Sequence, residues 1–503
     1  MLDYVSIFAL NYKTTAHKNH LKTMIEKKQV YNPFLPNFEY IPDPEPRVFE
    51  DRVYIYGSHD KFNGISFCVL DYVCWSAPVN DLSDWKYEGV IFKKSQDPKK
   101  YKTFLNSMFA PDVIKGADGR YYLFYFIGYN SFIGVAVCDT PAGEYQYAGR
   151  VKYSDGVELG KKGEPLQFDP SVFVDDDGRV FLYTGFGAVN YPKILLKGNK
   201  TTTKGAMCFE LLPDMLTIKG DIKYIGVPAK PCAKGNQYEK HPFFEAASMR
   251  KIGQKYYFVY SSFAGHELCY AVSDKPDGGF KFGGVLVSIG DIGIYKTARN
   301  HTGNTHGGLL ELNGKHYIFY HRQTNRNSFS RQACAEELKF DNGNFAQAEL
   351  TSCGLNGRAL VGAGEYKAYI ACQLYSKKGT HFYKVLKKRK SCYPYFTQSG
   401  KDRENNPNQY IANFCSGATA GFKYFEFSGA NAIEVKIKGK AKGTLLVYYD
   451  KNSALAAEIA ITTTKQYKDF FANLKPIHKI APLYFTFSGK GSFSFMSFKL
   501  SKI

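Results

Sequence analysis

At 503 residues the chain exceeds one ordinary domain, and 44% hydrophobic with 22% charged content is that of a folded globular protein. The formal charge of +20 would suit nucleic acid, but the lysines are scattered through loops, apart from one run at 384–390 (KVLKKRK), and are not gathered with stacking aromatics, so nucleic-acid binding is not expected. No apolar run approaches the roughly 18 residues that span a bilayer, and no membrane partner is expected.

In chain order, the N-terminus carries an apolar stretch behind an acidic Asp3, with no small-residue cleavage site after it, so it fails as a signal peptide. Residues 1–30 read as an extension, and translation from Met24 is an alternative start. From about Asn32 one pattern recurs five times: a polar or small residue, a short apolar run, a tight turn, a basic residue and an aromatic-rich strand. The copies are 43–56 (DPEPRVFEDRVYIY), 110–125 (APDVIKGADGRYYLFY), 169–183 (DPSVFVDDDGRVFLY), 245–260 (EAASMRKIGQKYYFVY) and 306–320 (HGGLLELNGKHYIFY). They begin about 60 to 75 residues apart, the period of a four-stranded propeller blade with expanded loops. Asp118-Gly119, Asp177-Gly178 and Asn313-Gly314 are hairpin dipeptides. Strands such as 121–125 are too continuously apolar for a surface and should lie between blades.

The repeat ceases near Gly364. Residues 365–503 carry other strands, at 432–438, 443–449, 457–462, 483–488 and 492–500, expected to form an antiparallel sandwich. The fold class is therefore all-β: a five-bladed β-propeller over 31–364, followed by a jelly-roll-like β-sandwich over 365–503. The eleven cysteines are odd in number, lack any C-x-x-C spacing and fall mostly in apolar strands. Reduced, buried thiols and a cytoplasmic location are expected, with secretion as the alternative.

Counting back nine or ten positions from Arg52, Arg179, Lys255 and Lys315 reaches Asp43, Asp169, Glu245 and His306; the second copy has Ala110 or Pro111 there. In a propeller, residues at the start of the innermost strands face one another, so three acids would meet in one pocket. Paired carboxylates with little metal-ligand company are the equipment of glycoside hydrolysis, where one acid protonates the leaving oxygen and one carboxylate activates water. Asp43 and Asp169 each precede a proline, which alone would mark a turn. Glu245, between Phe243-Phe244 and Ala246-Ala247, is harder to assign to structure, because an apolar shell both penalises an ionised Glu and raises a general acid's pKa. His306 is open to three roles: core histidine, metal ligand or orienting partner of a carboxylate. Asp112, further along its strand, reads as structural or peripheral.

These segments together resemble glycoside hydrolase family 43 over about residues 30–340. The opening NPFLPNFEYIPDPEPRVFEDRVYIYGSHD is similar to the family's first blade, which implies Asp43 as general base. FDPSVFVDDDGRVFLY implies Asp169 as the pKa-modulating aspartate, and HPFFEAASMRKIGQKYYFVYS implies Glu245 as general acid. NTHGGLLELNGKHYIFYHR implies His306 as a histidine near the axis that holds a metal, with one calcium ion as the only cofactor and no organic one. The same resemblance implies Arg331 as a substrate-contacting residue, and His59 and Phe109 complete the candidate substrate-binding set. APDV is commonly preceded by Trp in this family, and here Phe109 stands in its place. The C-terminal DRENNPNQYIANFCSGATAGFKYFEFSG resembles a family 6 carbohydrate-binding module, with Tyr395, Tyr410 and Tyr424 as candidate platforms or, more simply, core residues.

The expected function is an inverting exo-glycosidase acting on terminal α-L-arabinofuranosyl or β-D-xylosyl residues of plant-derived oligosaccharides. Alternatives are a non-catalytic carbohydrate-binding propeller and an endo-acting arabinan hydrolase. A fructan-type hydrolase would need Arg-Asp-Pro and Glu-Cys steps, where this chain has Phe168-Asp169-Pro170 and Glu245-Ala246.

Overall fold

The computed structural model describes residues 28–99, 106–128, 131–383, 393–402, 408–450 and 454–503. The expected start at Met24, the basic run at 384–390 and Cys392 lie outside them. Each repeat forms one antiparallel sheet whose strands follow chain order. Blade one is β1 (Glu45–Phe49), β2 (Arg52–Tyr56), β3 (Tyr72–Pro78) and β4 (Lys86–Phe92); blade two is β5 (Asp112–Lys115), β6 (Tyr121–Phe126), β7 (Ile133–Cys138) and β8 (Gln146–Arg150). Blade three is β9 (Ser171–Val174), β10 (Val180–Thr184), β11 (Met207–Leu211) and β12 (Ile218–Tyr224). Blade four is β13 (Phe243–Ile252), β14 (Lys255–Ser262), β15 (Glu267–Ser273) and β16 (Lys281–Ser288). Blade five has three strands, β17 (Leu309–Leu312), β18 (Lys315–Arg322) and β19 (Gln332–Leu338).

The fifth blade's open side has a substitute partner. Asn32 donates from its side chain to the Ala335 carbonyl (2.9 Å) and accepts from the Ala335 amide (3.0 Å), exchanging bonds as a neighbouring strand would. Second strands are buried along most of their length, as β6 and β10 illustrate, because their two faces meet the blades on either side. Phe173, Tyr183, Phe243 and Phe258, for example, pack between blades three and four.

The axis is polar, and its order follows the repeat. Glu45, Asp112, Ser171, Ser248 and Gly308 each lie opposite the residue four places beyond their copy's basic residue. The Ser248 hydroxyl donates to Glu45 (2.9 Å) and that of Ser171 to Asp112 (3.2 Å). Arg47 donates from Nε to Asp112 (2.9 Å) and from Nη2 to the Val172 carbonyl (3.0 Å). Arg250 bonds Glu45 and donates to the Leu309 (2.9 Å) and Pro46 (2.8 Å) carbonyls. Two guanidinium groups thus balance two carboxylates and staple all five blades, so Asp112 is structural and axial. Gly308 must lack a side chain, since a Cβ there would sit 2.4 Å from Glu45 Oε2.

The C-terminal strands form one curled ten-stranded sheet. Where the sequence suggests two pairs of short strands, the structure has two long ones, Ala432–Tyr448 and Ile480–Ser501, paired along the whole of the first. The segments that read as turns are bends. Beyond them the first long strand exchanges one partner, Thr464–Asn473, for another, Leu455–Ile461. The bends need glycine: a Cβ on Gly491 would lie 1.8 Å from the Lys440 carbonyl oxygen, and one on Gly443 2.2 Å from that of Ser488. This sheet meets the propeller through buried charge. Lys423, 1% exposed, pairs with Asp291 (3.4 Å) and Glu349 (2.8 Å), while Arg322 donates to the Tyr369 carbonyl (2.7 Å) and lies over the Phe396 ring.

Candidate active site

Asp43 and Asp169 lie two residues ahead of the axial ring, each in the left-handed region (φ 57° and 46°), where Asp is among the better tolerated non-glycine residues. The repeat places Ala246, with φ 68°, at the matching backbone position in blade four. Glu245 stands one residue earlier, because the pairing of β13 with β14 slips on either side of it. This bulge re-aims a longer acid from the neighbouring position. The equality of slots suggested by the sequence is thus an equality of place with different backbone geometry.

Asp43 is 5% exposed and contacts Arg331 (Nη1, 3.3 Å) and His321 (Nδ1, 3.3 Å) through Oδ1. Its amide donates to His321 Nδ1 (3.1 Å), and His321 Nε2 faces the Asn304 carbonyl (2.9 Å). Those partners assign the ring hydrogen to Nε2, and burial, which lowers the His321 pKa, keeps the imidazole neutral. For Asp43 burial opposes ionisation, but the Arg331 guanidinium holds its carboxyl well below the usual carboxylate range.

Glu245 is partly exposed, yet its carboxyl is closely surrounded by protein. Burial, followed by the negative charges of Asp169 and Asp43, raises its pKa well above the usual value. Asp169 contacts His306 (Oδ2 to Nδ1, 3.4 Å). Burial pushes the Asp169 carboxyl up, and pairing with Asp169 pushes His306 up to about 9. The imidazolium–carboxylate form is favoured, because His306 also feels the charge of Asp43. The structure therefore brings Asp43, Asp169, Glu245, His306 and Arg331 within electrostatic reach of one another.

Arg331 is 2% exposed, and its side chain clamps Asp60 through Nε (2.9 Å) and Nη2 (3.0 Å) while reaching Asp43 with Nη1. These contacts make it the counter-charge of Asp43. Phe109 is 7% exposed and begins a row of rings, Phe109, Phe168, Phe186 and Phe244, that ends beside Glu245. His59 differs from expectation: its Nε2 meets Glu39 (3.1 Å) and its Nδ1 the Asp71 carbonyl (3.0 Å), which leaves no ring nitrogen for a sugar hydroxyl. It fixes the 60–70 loop instead. His321 and Asp60 were not singled out in the sequence. The available signal was a polar pair, His321-Arg322, ending an otherwise aromatic strand.

A calcium ion takes six to eight oxygen ligands. His306 and Asp169 offer one nitrogen and one carboxylate already in contact, so an ion beside them would be held mainly through water. Tyr424 donates to Glu349 (2.7 Å), Tyr395 carries the Arg326 guanidinium, and Tyr410 packs edge-on to Tyr467.

The model of glycosyl hydrolases family 43 matches residues 30–345. The chain belongs to that family. As a family 43 member it is a glycoside hydrolase. It is 47% identical over 94% of its length, and 99% of the relative's, to a xylosidase/arabinosidase of Thermoclostridium stercorarium. A β-xylosidase of Xylanibacter ruminicola is 30% identical over 60% of this chain and 94% of that one. Among solved structures, a family 43 β-xylosidase/α-arabinofuranosidase from a compost metagenome, in complex with xylotriose and in calcium-free form, is 26% identical. It covers 62% of this chain and 94% of that one, with a TM-score of 0.47.

Proposed function

We propose that this family 43 enzyme is an inverting exo-glycosidase that releases terminal α-L-arabinofuranosyl or β-D-xylosyl residues from plant-derived oligosaccharides. The observation that carries the reading is the divergence of two buried carboxyls. Asp43 is held ionised by Arg331, and Glu245 is held protonated by burial and by its acidic neighbours. Environments that push two pKa values apart assign base and acid. Asp43 takes a proton from the water that attacks the anomeric carbon, and Glu245 gives its proton to the departing glycosidic oxygen. Asp169 keeps Glu245 protonated and, through His306, balances the charge at the pocket floor. Inversion requires the two carboxyls roughly 6.5–9.5 Å apart, with room for a water. The names of the relatives support the choice of pentosides. If a calcium ion binds, His306 would have to release its proton to hold it, with water in most of the other positions, and no step passes through it.

We also propose the division into a catalytic unit at 31–364 and a second unit at 365–503, and a cytoplasmic location. The location is supported by the ten described cysteines, all of which are free.

The test is Glu245→Gln. General acid catalysis is worth about 10²–10⁴-fold, so turnover of natural linkages should fall by that factor, with a smaller loss on aryl glycosides of acidic phenols. Equal losses on both would remove Glu245 from the acid role. Paired aryl arabinofuranoside and aryl xyloside substrates, with NMR of the first-formed anomer, decide sugar and stereochemistry together. Retention would overturn the assignment of Asp43 as a base acting on water.

A further inference from the structure

We propose that His241, Glu267 and Cys269 form a binding site for a thiophilic divalent cation, zinc above all, between the segment entering β13 and the start of β15. Their ligand atoms lie within 4.8 Å of one another, a nitrogen, a carboxylate oxygen and a sulfur. Among the described residues no other group of three such side chains is gathered this closely.

Three groups converge on one oxygen. Glu267 Oε1 is 2.7 Å from His241 Nδ1, 2.6 Å from the Ser262 hydroxyl and 3.7 Å from Cys269 Sγ. Zinc bonds of about 2.0–2.3 Å in a tetrahedron separate ligand atoms by about 3.3–3.7 Å. The sulfur–oxygen pair already has that spacing, and the nitrogen–oxygen pair must open by well under 1 Å. Ser262 or a water supplies the fourth position. On binding, the Cys269 thiol releases its proton to solvent and the imidazole carries its hydrogen on Nε2, so the cation takes the place of the thiol and imidazole hydrogens that now face Glu267.

The ligands are held in place. The His241 ring stacks on Phe282 (5.0 Å between centroids, 9° between planes), and its carbonyl accepts from the Tyr260 hydroxyl (2.8 Å). Cys269 pairs with Tyr260 inside the sheet. Cys269 is fully buried, whereas the His241 side chain is 26% exposed, so a cation enters past the histidine. This nitrogen–sulfur–oxygen set suits zinc, whereas calcium seeks an all-oxygen shell.

The site also has a consequence along the chain. His241 is four residues before Glu245, and the Pro242 carbonyl accepts from the Phe263 amide (2.9 Å). A cation there would clamp the segment that leads into the bulge at Glu245.

The test uses the full chain, stripped with chelator and titrated with zinc by calorimetry, and with cobalt by absorption. The expected result is one equivalent bound at micromolar concentration or tighter, a thiolate-to-cobalt charge-transfer band, and a higher melting temperature with zinc. His241→Ala should weaken zinc at least about tenfold, Cys269→Ser should remove the band, and Cys232→Ser, at the exposed thiol, should change neither. Excess calcium should not displace the ion. Because Cys269→Ser alters a core position, His241→Ala at its partly exposed site decides alone if the serine variant fails to fold. Absence of a one-equivalent site, binding unchanged in His241→Ala, binding lost in Cys232→Ser, or displacement by calcium would each overturn the assignment.

Discussion

Replacing Arg331 by Met tests whether the base is set by a counter-charge. The guanidinium contact with Asp43 is 3.3 Å, which puts the charge centres about 4 Å apart. At an effective dielectric constant near 20 that pair is worth about 4 kcal/mol, or roughly three pKa units. Without it, burial is the largest remaining influence on Asp43 and acts upward. The sign is definite. A carboxyl with a depressed folded pKa contributes stability above its unfolded pKa, and that stability is lost only as pH falls through the folded value. The acidic limb of kcat/KM should therefore move up by two to three units in Arg331→Met, in a profile measured on an aryl pentoside. Asp60 also loses its partner, and about 3–5 kcal/mol of destabilisation is expected, tolerable against a typical 5–15 kcal/mol. Urea unfolding checks that the assayed variant is folded. Arg331→Lys should return most of the limb, because the charge is restored without the planar fork. An acidic limb that stays in place in folded Arg331→Met would refute the reasoning.

Asp169→Asn removes a negative charge that raises Glu245, so the alkaline limb of kcat should shift to lower pH; a limb that stays put would take Asp169 out of the modulating role. Lys423→Met leaves the buried Asp291 and the partly exposed Glu349 without their cation, and a loss of about 3–5 kcal/mol should appear in denaturant unfolding. Gly308→Ala places a methyl against Glu45, and a loss of about 1–3 kcal/mol should lower the melting temperature.

The blades were legible because each combines a hairpin turn with an aromatic strand, two local signals that agree. The gathering of Asp43, Asp169 and Glu245 followed from counting within those repeats. The bulge at Glu245 was not legible, since a slip in pairing depends on β14 as much as on β13. The two long C-terminal strands were divided at Gly-Lys segments that have turn chemistry but make bends, because each faces a partner bent at the same place. The structural work of His59 was not legible either, because only the fold brings Glu39 and the Asp71 carbonyl to its two nitrogens. His321 was hidden because its importance comes from Asp43, distant in sequence.

The left-handed backbone at Asp43 and Asp169 inverts the ordinary ranking of similar residues. Asn matches Asp in tolerating that conformation but surrenders the charge, whereas Glu keeps the charge and must pay in backbone strain as well as reach. Neither acid has a neutral path to its homologue one methylene longer. The chain uses Glu where a bulge supplies a different backbone, and acid length at this pocket is consequently fixed by main-chain geometry before any sugar arrives.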